Sequence, residues 1–195
     1  MTITRRDFLK MSGMFAAWTA LASCAPSELA LTPTAPALTA LPPLPLDDES
    51  LLVHTLRRFT FGPTPAMIEK AKRIGLSAFI EEQLFPESIP DDATDKMMDQ
   101  FTTLDMTPAE RFKLEKKGLP VQELISATIL RQRHSERQLF ETMVDFWGNH
   151  FSIYIAKGGC KVLKTDDDLK AIRPNALGKF RDLLHASAHS PAMLV

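Results

Sequence analysis

From Asp47 onward the apolar residues recur three or four positions apart in short runs, each bounded by residues that start or stop a helix. Asp47 and Asp48 open a helix with Leu52, Leu56 and Phe59 on one face, ending before Gly62-Pro63. Thr64 as N-cap and Pro65 at the first helical position open the next, with Met67, Ala71 and Ile74 in register and Gly75 closing it. Ser77 is read as the cap of a third, which runs to Leu84 and stops at Pro86; a weaker pattern covers Thr94 to Phe101. Thr107-Pro108-Ala109-Glu110 is a capping box leading a helix to Lys117, terminated by Gly118. Pro120 starts a helix striped by Val121, Leu124, Ile125, Thr128 and Ile129. Ser135-Glu136-Arg137-Gln138 reads as a second capping box, introducing the clearest stripe in the chain, Leu139, Met143, Phe146, Trp147 and His150. A loop holding Gly158-Gly159 leads to a short turn from Asp168 to Arg173. After Pro174 a last helix places Leu177, Phe180, Leu184 and Ala188 in register. Phe151 to Ala156 alternates loosely, so a short strand competes with a loop there. Together these patterns predict an all-α fold over 47–195, an irregular array of short amphipathic helices.

Ahead of Asp47 no such pattern exists, and residues 1–46 are predicted to form a disordered signal and linker. The first 23 residues fall into three zones: Thr4-Arg5-Arg6-Asp7-Phe8-Leu9-Lys10, an apolar run from Met11 to Ala22, and Leu21-Ala22-Ser23-Cys24. Arg5 and Arg6, with Phe8 and Leu9 at the following offsets, resemble the twin-arginine export signal, whose partner is the twin-arginine translocase. The apolar run is shorter than the roughly 20 residues that span a bilayer as a stable helix. The last zone resembles a lipobox, which would place a lipid on Cys24 and hold the protein on the outer face of the membrane. An ordinary signal peptide cut after Ala20-Leu21-Ala22 is the alternative. Ala25 rather than Asp follows the cysteine, which in a host with two membranes points to the outer one. Residues 24–46 carry Pro33-Thr34-Ala35-Pro36 and Leu41-Pro42-Pro43-Leu44-Pro45, a density of proline that favours an extended tether.

Charge and cysteine content narrow the function classes. The net charge is −1, and removal of residues 1–23, with three basic residues and one acid, leaves −3. That balance argues against a phosphate-binding footprint and hence against a nucleic-acid partner. With Cys24 lipidated, Cys160 has no partner in the chain, so no disulfide is expected. Nine methionines and 12 phenylalanines against a single tyrosine suit helical packing.

Three blocks, in order along 54–194, resemble the bacterial domain of unknown function 1800 family, typical of exported proteins. They are His54-Thr55-Leu56-Arg57-Arg58-Phe59-Thr60-Phe61-Gly62-Pro63-Thr64-Pro65, then Phe146-Trp147-Gly148-Asn149-His150-Phe151 within 137–151, then 167–194 with Ile172-Arg173-Pro174-Asn175-Ala176-Leu177-Gly178. Pro174-Asn175 departs from the histidine-containing run more usual in the family before Ala-Leu-Gly. The resemblance implies a mostly helical fold and assigns no activity. Family members continue beyond the position of Val195, and Ser190-Pro191 announces a helix near the end, so 47–195 is expected to be the N-terminal portion of the domain. Such proteins are often encoded beside a second exported family with a sulfatase-like look, whose product is a candidate partner.

Candidate chemistry centres on His150, which falls about 20° from Leu139 on the apolar face it shares with Phe146. Two readings follow: a core histidine satisfied by a backbone carbonyl or by Asn149 or Arg173, or an acid/base group lining a pocket with those residues. His185 and His189 have the i, i+4 spacing that can chelate a metal, but no glutamate stands where a zincin needs one, so no metal is assigned. Asp166-Asp167-Asp168 reads as solvated helix-start acids, and Arg57-Arg58 as a surface pair. No cofactor is legible. Two function classes follow: a non-catalytic envelope assembly protein that binds another exported protein, and an envelope enzyme, possibly hydrolytic, with His150 in its site.

Overall fold

In the computed structural model, which describes residues 47–195, the first helix begins where the sequence places it. Asp47 accepts from the Ser50 amide at 2.7 Å and opens α1 (Asp48–Phe59). Thr64 caps α2 (Pro65–Ile74) through the Met67 amide. Gly75 then takes φ 86°, a region open to glycine and closed to β-branched residues, and the chain turns directly into α3 (Leu76–Leu84). Ser77 is therefore inside α3 and not its cap: the glycine turn starts the helix before the serine is reached. Leu52 and Leu56 of α1, Ala71 of α2 and Phe79 of α3 close into one core cluster.

The middle of the chain is more irregular. Helix α4 covers Asp92–Met98 rather than Thr94 to Phe101, because the chain tightens into a 3₁₀ turn at Thr102–Leu104. Both halves of the Thr107–Glu110 capping box are made, but α5 (Pro108–Lys113) ends four residues earlier than Lys117. Leu114 is extended there, and the Lys117 ammonium folds back onto the Phe112 carbonyl, satisfying one of the oxygens the helix end leaves free. Helix α6 covers Leu119–His134 and α7 covers Gln138–His150. Leu104 of the 3₁₀ turn packs on Leu124 and Ala127 of α6 in a second cluster, with Met98, Phe101 and Leu169 against it.

The predicted capping box at the start of α7 is not formed. Ser135 Oγ donates to Asp91 Oδ2 at 2.6 Å, while Gln138 Nε2 donates to the Gln132 and Ser135 carbonyls. The amide of Leu139 is instead satisfied by Gln83 Oε1 of α3 at 3.1 Å, and Gln83 Nε2 donates to the Glu136 carbonyl at 3.0 Å. A fully buried glutamine from 56 residues upstream thus does the work expected of a local serine. Together with Thr142 Oγ1 on the Phe59 carbonyl and the Phe61 amide on Gln138, it bolts α1 and α3 to α7.

The segment after Gly158-Gly159 also differs from expectation. No turn begins at Asp168; the chain winds continuously through α8 (Cys160–Asp166), a π-helical stretch (Asp167–Ile172) and a 3₁₀ turn (Arg173–Asn175). Helix α9 spans Phe180–Ala188 and α10 spans Pro191–Leu194. Leu177 lies before α9, whose buried positions are Leu183 and Ser187; Phe180, Leu184 and Ala188 are exposed. The expected stripe is off because Leu183, not Phe180, meets Val144, Ile172 and Ala176 in the third cluster. No strand occurs among the described residues, and Phe151 to Ala156 is loop and turn. The expected export signal, Cys24 and the expected proline-rich tether lie outside the described residues.

The acids expected at a solvated helix start are buried: Asp167 is 1% and Asp168 8% exposed, and Asp166 is equally withdrawn. Cations reach each side of the cluster. Arg111, 1% exposed, donates from Nη1 to Asp166 at 2.6 Å, from Nε to the Thr103 carbonyl at 2.7 Å and from Nη2 to the Leu104 carbonyl at 3.0 Å. Lys170 takes the second Asp166 oxygen, and Lys164 pairs with Asp167. Burial opposes ionisation of Asp166, but the bonds from Lys170 and Arg111 outweigh it and hold its carboxyl below the usual range. Removing the guanidinium leaves a buried carboxylate and two carbonyls short of donors. Arg111→Ala is expected to cost about 3–5 kcal/mol in urea denaturation. Lys72→Ala, which breaks the exposed pair with Glu49, should change stability by less than about 0.5 kcal/mol.

Candidate functional site

Antiparallel α6 and α7 leave a groove of about 370 Å³ between them, floored by α8 and the π-helical stretch. Leu124, Ile125 and Ile129 of α6 and Val144 of α7 give it apolar walls, and Ile155 reaches in from the loop after α7. Ile125 and Ile129, expected to be core, are about half exposed because they line this opening. Gln132 donates to Asp145 at 3.1 Å across one end of the groove. Gly148 leaves the α7 wall bare; a Cβ built there meets nothing within 4 Å.

The floor carries the charge. Lys164 and Asp168, one turn apart, both line the groove. Lys164 is engaged by Asp167 at 2.6 Å, whereas Asp168 Oδ2 is buried without a hydrogen-bond partner. Burial pushes the Asp168 carboxyl above its ordinary value; Arg173, Lys164 and Arg131 oppose that shift and Glu141 adds to it. Behind the floor Arg173 clamps Glu141 with both guanidinium nitrogens and lies 5.1 Å from the Phe140 ring centre. Arg131 is half buried and has one nitrogen unpartnered; burial, then the charge of Arg173, works against its protonated form. A carboxyl whose burial favours its neutral form, at the base of an apolar opening, can offer a ligand a hydrogen-bond donor or acceptor. A π-helical stretch is itself enriched at functional sites.

Of the residues singled out from sequence, Asn149 lines the groove and the two histidine sites lie elsewhere. His150 is exposed rather than turned into the core: a further turn along α7 carries it past the buried residues into a row of aromatic rings. Its ring stacks on Phe146 at 6.1 Å and meets Phe151 edge-on at 4.9 Å. Trp147 joins them to Phe180 of α9 at 5.7 Å, and Phe146 and Phe180 are 53% and 52% exposed. Asn149 turns its amide back to the Asp145 carbonyl, and Arg173 takes Glu141, so neither serves His150. His185 and His189 are exposed, stacked 4.2 Å apart, with His189 Nδ1 at 2.8 Å from the His185 carbonyl. Among the described residues no group of three or more His, Cys, Asp or Glu is placed to hold a metal ion. Nor is any helix there long and apolar enough to cross a membrane. Cys160 is a buried free thiol whose sulfur lies 3.5 Å from the Ala192 carbonyl. Arg57 and Arg58 are exposed in the last turn of α1, as expected.

Asp168 does not stand out in the sequence as a site residue, because a run of three acids near a helix start has an adequate local explanation. The one available signal was Lys164, three and four positions before Asp167 and Asp168, a spacing that pairs opposite charges on a helix.

The raised Asp168 value gives a pH test with a definite sign. The folded carboxyl holds its proton to higher pH than the unfolded chain. Its contribution to stability is therefore fully present below the ordinary value of about 3.9 and is lost as pH rises through the folded value. Asp168→Asn should raise the thermal unfolding midpoint at neutral pH, and the gain over the unsubstituted chain should shrink towards zero as pH falls to about 4.

Among known proteins, residues 54–195 match a family model described as "Protein of unknown function (DUF1800)". No curated protein and no solved structure matches the chain.

Proposed function

The chain belongs to the DUF1800 family of proteins of unknown function, and we propose that it is an exported cell-envelope protein that works by binding another exported protein. The support for export is the order of its N-terminal zones: Arg5-Arg6 with Phe8 and Leu9, a short apolar run, then Cys24 behind small residues. Carried by the twin-arginine translocase, the domain folds before crossing. A lipid on Cys24 then holds it at the periplasmic face of a membrane, the outer one where the host has two.

The observation that carries the binding role is the aromatic row on α7 and α9. Phe146, Trp147, His150, Phe151 and Phe180 form a continuous chain of ring contacts, and its two outer phenylalanines are half exposed. Exposed rings in contact with one another resemble the buried anchors of protein interfaces, where aromatic side chains supply most of the contact energy. The product of a neighbouring exported gene is the proposed partner.

Two outcomes test the address. Lys at both Arg5 and Arg6 should leave the protein in the cytoplasmic fraction, and Cys24→Ser should move the exported protein from the membrane pellet to the soluble periplasm. Recovery of Cys24→Ser in the pellet would rule out the lipid anchor. The binding face is tested by photo-crosslinking of the intact protein in its host. Phe146→Ser with Phe180→Ser should abolish a discrete crosslinked species while leaving far-ultraviolet circular dichroism unchanged. The reading fails where the unsubstituted protein gives no such species.

A further inference from the structure

We propose that the groove between α6 and α7 is a second, independent site, which binds a neutral amphiphile: an aliphatic body with a hydroxyl or primary amide head. The proposal does not rest on the partner-binding role. Val144 and Gly148 face the groove, whereas Phe146, Trp147 and His150 project on roughly the opposite side of α7 at about 100° per residue.

Three features select the ligand. At about 370 Å³ the groove falls in the range of about 300–1,000 Å³ usual for small-molecule sites. Its walls of Leu124, Ile125, Ile129 and Val144 suit an alkyl body and offer that body nothing to hydrogen-bond. At its base lies the Asp168 carboxyl, on a side chain more than nine-tenths buried, with Oδ2 lacking a hydrogen-bond partner. A buried carboxyl short of partners is costly, and a ligand head that pairs with its groove-lining edge recovers part of that cost.

The head is neutral because no free counterion waits for a charged one. Lys164, the one cation lining the groove, is already paired with Asp167, and an ammonium would need the ionised form of Asp168, which burial disfavours. A hydroxyl or amide both donates and accepts. It therefore pairs with Asp168 whether the carboxyl is ionised or, as burial favours, protonated. Gly148 fits the same account, since the space where its side chain would stand is open and the alkyl body can occupy it.

The probes are n-octanol, octanamide, n-octylammonium and octanoate, each measured against the full chain by saturation-transfer NMR at neutral pH. The alcohol and the amide should bind saturably at one site, and the two ions about tenfold more weakly or not at all, the loss expected for one unmade buried hydrogen bond. Gly148→Met adds a side chain where a Cβ meets nothing within 4 Å and favours the helix, so it should fold at least as well and, by filling the groove, bind octanol about tenfold more weakly. Asp168→Leu removes the head contact and should weaken octanol about tenfold, while Asp168→Asn, which keeps a donor and an acceptor, should stay within about threefold. Octanol that does not saturate, equal binding by the ions, or a Gly148→Met protein that is folded by circular dichroism and binds like the unsubstituted chain would each overturn the proposal.

Discussion

A guanidinium withdrawn from water must find acceptors for its nitrogens or the fold that buries it will not form, and Arg111 sets that constraint for this domain. Its three nitrogens hold the Thr103 and Leu104 carbonyls and the Asp166 carboxylate. The acceptors come from two separate stretches of chain, one 7 to 8 residues before the arginine and one 55 residues after it. Helix α5 is too short to be stable alone, and the 3₁₀ turn before it has no hydrogen-bonded side-chain cap. Tied by one arginine, both become part of the wall behind α8. The same bond fixes Asp166, and so the level at which the chain enters the π-helical stretch.

That stretch turns three consecutive acids to use. In an ordinary solvated helix start they would share the solvent; here each is withdrawn and meets a different fate. Asp166 accepts from Arg111 and Lys170, Asp167 pairs with Lys164, and Asp168 lines the groove with one oxygen left without a partner. The first two carboxylates are held by cations, Asp166 through both oxygens and Asp167 through Oδ2 alone. The third is unmatched, and burial drives its carboxyl towards the neutral form. Helix α7 separates this aliphatic-walled groove from the aromatic row on its far side, so one helix serves two distinct surfaces.

Much of the helical body was legible because its signals act within one or two turns. Thr64-Pro65, Thr107 to Glu110 and Asp47 satisfy amides three residues away, and each starts its helix as read. Errors arose where a local signal met a stronger distant partner. Ser135 carries a capping sequence, yet Asp91 takes its hydroxyl and Gln83 takes the Leu139 amide. His150 follows the periodicity of an apolar face that is buried only over its first two turns, so the same count that placed Leu139 in the core misplaced the histidine. The acids were misread because a charged run is ordinarily solvated, and nothing local says that Arg111 lies opposite.

The sequence alone determined the helical class, most helix starts, and the zones before Asp47 that support an address in the envelope, since caps, glycine turns and export signals are local codes. Only the tertiary structure decided which polar groups are matched. Hydrogen-bond and charge pairing across 44 to 56 residues depends on which surfaces the helices bury, and that is set by packing. The groove with Asp168 at its base and the exposed aromatic row are both products of that packing, and neither exists on any one helix.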